Sequence, residues 1–121
     1  MLPKGTTFFR NNHVWFNLTE PSTHRLEVVC VNFTTLDEDC PDDECIVTQA
    51  DYAWIEAGHP TAIAFSRAQL WDGEKIAECL RNGALRKPRQ GDVPAATVAK
   101  VYRAAITSNQ LSEDLRAFLM F

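Results

Sequence analysis

The stretch from His13 to Thr35 reads as a β-hairpin, and this feature constrains the fold more than any other part of the chain. HVWFNL (His13 to Leu18) and LEVVCVNFTT (Leu26 to Thr35) are alternating apolar segments, and Pro21 and Ser22 punctuate the TEPSTHR turn between them. Successive side chains in a strand point to opposite faces. In an antiparallel pair the start of one strand lies beside the end of the next. His13 and the Thr34–Thr35 pair are thereby brought to one edge of a packed sheet, where a polar group is a candidate site.

The flanking sequence extends the pattern. TTFF at Thr6 to Phe9 predicts a first strand, and Arg10, Asn11 and Asn12 a tight turn, because Asn tolerates positive φ. After an acidic loop from Leu36 to Glu44, CIVT (Cys45 to Thr48) is a short strand and DYAWIEAGHP an irregular connection ending at Pro60. TAIAFSRAQL, Thr61 to Leu70, restores a strand pattern. About five short strands in this span favour a mainly β fold, a small antiparallel barrel.

From Asp72 the period becomes helical. Asp72 is placed to cap a helix whose Ile76, Cys79 and Leu80 share a face, and Gly83 to end it. The basic linker ALRKPRQGD leads to Pro94, suited to a helix first turn, followed by Val98, Val101, Tyr102, Ala105 and Ile106 at helical spacing. This helix is expected to pack on the barrel. Ser112, Glu113 and Asp114 predict a last short helix, with Leu115, Phe118 and Leu119 closing the core. Two or three C-terminal helices thus follow the strands.

The length of 121 residues suits a single domain, 1–121, with one hydrophobic core. No apolar run reaches the ~20 residues of a membrane span, and MLPKGTTFF lacks the basic start and apolar stretch of a secretory signal. A cytoplasmic protein with no membrane partner is the expectation. Cys30, Cys40, Cys45 and Cys79 read as small apolar residues rather than a disulfide framework.

The net charge of −4 conceals an uneven distribution. Asp37, Glu38, Asp39, Asp42, Asp43 and Glu44 supply −6 in one stretch, and removing it leaves the rest of the chain at +2. Lys4, Arg10, His13, His24 and Arg25 are then free to form a positive rim near the hairpin.

The order KGTTFF, HVWFNL, polar loop, LEVVCVNFT, CIVT, TAIAFSRAQL, DGEKIAECL and a later amphipathic helix resembles the MazF/PemK family of toxin endoribonucleases over roughly residues 3 to 108. In that family an SH3-like barrel begins with an Arg/Lys–Gly pair, opens the next strand with Arg–Pro–Val and ends the long strand with an apolar–Thr step. Lys4 and Gly5 match the first motif, His13 and Val14 fall where Arg–Pro–Val would begin, and Thr34 falls on the Thr. The turn between Phe9 and His13 has three residues, where the family carries a longer loop.

The resemblance implies metal-independent cleavage of single-stranded RNA by attack of a ribose 2′-hydroxyl on the adjacent phosphate, with no cofactor. It also implies an antitoxin protein and a homodimer as partners. Carried over by position, the catalytic pair would be His13, in place of Arg, and Thr34. A free imidazole, with a pKa of ~6.5, exchanges protons near neutral pH and as imidazolium stabilises phosphorane charge. Lys4, Arg10, His24, Arg25 and Thr35 would bind RNA, through phosphates in the case of the hairpin-loop pair His24 and Arg25.

Other readings remain open on the residues themselves. The barrel can serve as a non-catalytic protein-interaction module, since fold does not fix function. Trp15, Trp54 and Trp71 can stack on bases or pack a core or interface. Cys40, Cys45 and His59 with a carboxylate are conceivable zinc ligands, but the C-x4-C spacing lies outside the tight knuckle and no second pair follows. The acidic loop lacks the Gly-centred spacing of an EF-hand and reads as a solvated loop.

Overall fold

The structure is a computed structural model and describes residues 1–120; Phe121, the last residue of the expected domain, lies outside the described residues. Its strands are β1 (Thr7–Arg10), β2 (His13–Asn17), β3 (Glu27–Thr35), β4 (Ile46–Val47), β5 (Thr61–Ile63) and β6 (Gln69–Asp72). Three helices follow, α1 (Gly73–Arg81), α2 (Ala95–Ile106) and α3 (Glu113–Met120). The fold is therefore mainly β, an antiparallel sheet followed by helices.

The β1–β2 connection is a two-residue turn in which Asn11 and Asn12 take φ of 51° and 64°. Positive φ at both central residues matches the right-handed twist of a tight hairpin, and Asn accepts it at little cost. This turn sets Arg10 opposite His13 and Phe8 opposite Trp15.

β3 organises the sheet because it is long enough to change neighbours. Its Cys30, Val31 and Asn32 pair with β2 on one side, while on the other Glu27 to Cys30 pair with β6 and Phe33 to Thr35 with β5. β4 adds to β5, giving the order β1-β2-β3-β5-β4 with β6 branching from β3.

Six strands form where five were expected. The run Thr61 to Leu70 is broken by a 3₁₀ turn at Phe65–Arg67. Its cause lies in the acidic loop, where the buried Asp42 carboxylate takes the Ser66 N–H and hydroxyl and turns the chain out of line.

β1 and β4 end the strand order. The free side of β1 is covered by the segment read as a basic linker: Phe9 N–H donates to Arg86 O at 2.8 Å, Thr7 N–H to Asp92 Oδ1 at 3.1 Å and Val93 N–H to Gly5 O at 3.0 Å. The Tyr52 hydroxyl donates to Gly91 O at 2.6 Å and ties the chain after β4 to the same segment. Exposed edge N–H and C=O groups invite pairing with another chain. Here the Thr7 and Phe9 N–H groups of β1 are taken by the Asp92 carboxylate and the Arg86 carbonyl.

Gly5 takes φ +86°, and a Cβ there would lie 2.8 Å from Val93 O. Only glycine fits this approach. The glycine of the Lys–Gly step is accordingly a packing requirement of the edge cover.

Both faces of β2 are buried. Val14, Phe16 and Leu18 face a large cluster with Val31, Phe33, Tyr52, Ile63, Val98 and Val101, which α2 covers. Trp15 faces a smaller one with Leu2, Phe8, Val28, Cys30 and Ile76, which α1 covers. Asp72 caps α1, accepting from Glu74 N–H at 3.0 Å and Lys75 N–H at 3.2 Å. α3 differs from its expected role: none of its residues is buried, and only Leu115 and Leu119 pack against the core.

Candidate functional site

The ladder pairing Trp15 with Asn32 and Phe16 with Val31, extended past its last rung, puts His13 opposite Thr34. Both residues border one cleft of about 290 Å³, together with Thr35, Asp37, Trp54 and His59. His13 and Thr34 are half-buried, and Thr35 and His59 are exposed. A position at the mouth of a packed sheet leaves these groups reachable by a polymer, while the backbone of His13, Thr34 and Thr35 is held by strand pairing.

The sequence offers His59 only as a conceivable metal ligand. It reaches the cleft through a turn in which His59 N–H donates to Glu56 O at 3.0 Å and Gly58 takes φ +77°. That conformation suits a glycine at the third turn position. The Thr61 hydroxyl then donates to His59 O at 3.1 Å, and Thr61 is paired with Thr35 in the β3–β5 ladder. The outcome is a 3.2 Å approach of Thr35 Oγ1 to His59 Nε2. The sequence signal was the Gly–His–Pro step entering β5, which marks a tight turn but not its neighbour.

Trp54 is held by the core. Its ring centroid lies 6.0 Å from that of Phe33, which in turn stacks on Tyr52 at 5.5 Å and on Phe16 at 5.3 Å. Being half-buried, Trp54 keeps part of its ring in the cleft.

The positive rim expected around the hairpin is not assembled. β2 alone separates its two ends by roughly 13 Å at ~3.3 Å per residue, and the loop holding His24 and Arg25 is at the end away from His13. Arg25 donates to Phe118 O at 2.8 Å and lies over the Phe118 ring at 4.4 Å. Lys4 pairs with Glu20 at 2.9 Å, and both border the cleft that Arg25 borders. His24 is exposed in that loop, with its N–H bonded to Ser22 Oγ. Arg10 faces His13 in the register, but its guanidinium lies 4.7 Å from the Trp71 ring centroid and borders a different cleft. Of the seven candidate residues, His13, Thr34 and Thr35 come together; Lys4, His24 and Arg25 sit at the far end of the hairpin, and Arg10 is turned away.

The acidic loop is solvated as expected at Asp37, Glu38, Asp39, Asp43 and Glu44, all exposed, and departs from that at the buried Asp42. Asp37 lines the cleft, Asp42 is buried against Ser66, and Glu44 accepts from the Ser108 hydroxyl and the N–H groups of Asn109 (2.8 Å) and Gln110 (3.1 Å). Partial burial acts to raise the Glu44 carboxyl, but these hydrogen bonds prevail and hold it below its ordinary value.

Among the described residues no three His, Cys, Asp or Glu side chains are placed to hold one metal ion, so the Cys40, Cys45 and His59 grouping is not formed. Cys45 is buried, which pushes its thiol above the ordinary range.

Comparison with family models, with curated proteins and with solved structures returns no match to this chain. The cleft is therefore interpreted on its own chemistry: two imidazoles, threonine hydroxyls, one carboxylate and a partly exposed indole.

Proposed function

We propose that this chain is an endoribonuclease of the MazF/PemK toxin kind, cutting single-stranded RNA with the substrate's own 2′-hydroxyl as nucleophile. The observation that supports it is the shared cleft of His13 and Thr34, the two residues that the resemblance to that family selects. In this reading His13 removes the 2′-proton, and the Thr34 hydroxyl donates to a nonbridging phosphate oxygen as charge develops. Trp54 offers a face for base stacking. An antitoxin that covers the cleft and a homodimer belong to the same proposal.

The test is incubation of the purified chain with single-stranded RNA in EDTA. Cleavage leaving 2′,3′-cyclic phosphate and 5′-hydroxyl ends, lost in His13→Ala with an unchanged circular dichroism spectrum, is the expected result. Absence of cleavage from pH 6 to 8, with or without divalent metal, overturns it.

One observation favours a second reading, the non-catalytic interaction module. A mostly apolar cleft of about 320 Å³, bordered by Phe8, Trp71, Ile76 and Leu85 with Arg10 and Lys75 at its rim, has the character of a protein-binding groove. A chain that cuts no RNA would make this the better reading.

A further inference from the structure

We infer that His59 is the second catalytic residue of this cleft, the general acid that protonates the departing 5′-oxygen; the inference rests on the RNA-cleaving reading above. Transesterification by a 2′-hydroxyl requires two proton movements. The 2′-oxygen loses its proton as the P–O2′ bond forms, and the 5′-oxygen gains one as the P–O5′ bond breaks. A single imidazole at His13 accounts for the first. The proton gained at His13 balances the proton given to the 5′-oxygen, so a second group that supplies the latter lets both transfers occur in one step, and each side chain returns to its starting state by exchange with solvent.

His59 is placed for this. It lines the same cleft as His13 but approaches from the opposite flank, on the turn before β5 rather than on β2. The turn is fixed by the Glu56–His59 backbone hydrogen bond and by the Thr61 hydroxyl on His59 O. The ring itself is placed by Thr35 Oγ1, 3.2 Å from Nε2. Thr35 thus acts as a positioning residue.

The assignment of acid to His59 and base to His13 follows from a second cleft. Trp54, His59 and Thr61 also border an adjoining space of about 230 Å³, reaching Ile55 and Glu56, which His13 does not touch. One cleft holds the nucleoside that carries the 2′-hydroxyl beside His13. The other receives the leaving nucleoside, and His59 stands between them where the P–O5′ bond would lie. The substrate is then at least a dinucleotide, with a nucleoside on each side of His59.

The experiment compares two RNA oligonucleotides, one natural and one with sulfur replacing the bridging 5′-oxygen at the cleavage site. A thiolate leaves without a proton and needs no general acid. His59→Ala is expected to lose ~10²–10⁴-fold on the natural substrate and less than about tenfold on the sulfur substrate, each relative to the unsubstituted chain. His13→Ala is expected to lose as much on both. If His59→Ala cuts natural RNA as fast as the unsubstituted chain, or is equally impaired on both substrates, the acid role is overturned while RNA cleavage stands. If sulfur rescues His13→Ala instead, the assignment is reversed and fails. If the unsubstituted chain cuts neither substrate, both readings fall.

Discussion

Ser66 donates its backbone N–H and its hydroxyl to the two carboxylate oxygens of Asp42, at 2.8 and 2.6 Å, across 24 residues of sequence. Asp42 is 3% exposed, so this is a buried charge with its hydrogen bonds supplied. Hydrogen bonds to a charged group contribute about 1.5–3 kcal/mol, and leaving such a donor unpaired adds its desolvation cost. Asp42→Ala is expected to lower stability by about 2–4 kcal/mol in urea unfolding. Asp43→Ala, at the exposed neighbouring position, should change it by less than about 0.5 kcal/mol.

Acid should unfold the protein partly through two carboxylates. Burial acts to raise Asp51, but its hydrogen bonds with Lys100 Nζ (3.0 Å) and Thr48 N–H (2.9 Å) and the Lys100 charge hold it below its ordinary value. Glu44 is lowered as well, through Ser108, Asn109 and Gln110. A carboxylate that binds its proton less tightly when folded stabilises the fold above its unfolded pKa. That stability is lost as pH falls through the folded value. The melting temperature should therefore hold above roughly pH 5 and decline below about pH 4. In Asp51→Asn the decline should be shallower; an unchanged slope in that variant would argue against the pairing.

Gly5 gives a backbone test. Alanine would need φ near +86° and would place its Cβ 2.8 Å from Val93 O. Left-handed backbone costs a non-glycine residue about 1–2 kcal/mol before any clash. Gly5→Ala should lose at least about 2 kcal/mol. Gly83→Ala is a control with nothing within 4 Å, bearing the strain of φ +82° without the clash, and should lose less.

The thiols should divide into two pairs. Burial pushes Cys30 and Cys45 upward, away from the reactive thiolate, whereas Cys40 and Cys79 are half-buried. A thiol reagent on the native protein should label Cys40 and Cys79 quickly, and all four only after unfolding. Peptide mapping of the labelled chain checks this.

What could be read from the sequence was what local pattern determines. Asn11 and Asn12 declared their turn because few residues tolerate positive φ, and strand period with hairpin direction placed His13 beside Thr34. Asp72 as the cap of α1 was equally plain. The contacts that escaped are set by tertiary closure. His59 meets Thr35 because β5 pairs with the end of β3, a partnership that the irregular segment before Pro60 does not announce. Asp42 splits the Thr61–Leu70 run from outside it. Arg25 and Lys4 are charged residues near the hairpin in sequence, but the antiparallel geometry that joins His13 to Thr34 necessarily carries the connecting loop to the other end.

That geometry gives the last prediction, on how RNA would be held. If bases stack in the cleft, Trp54 is the face available, since Trp15 is buried and Trp71 is covered by Arg10 and lies 4.7 Å from Trp15. Base–aromatic stacking contributes about 1–3 kcal/mol per base, so Trp54→Ala should weaken RNA binding by about 5–150-fold. Trp54→Phe, which keeps a ring against Phe33, should weaken it less. Lys4→Ala and Arg25→Ala, at the far end of the hairpin, should weaken binding by no more than about threefold, through long-range attraction alone, and that effect should vanish above a few tenths molar salt. Fluorescence anisotropy with a labelled single-stranded oligonucleotide measures all four variants. A larger loss in Arg25→Ala than in Trp54→Ala would move the RNA path to the opposite end of the sheet.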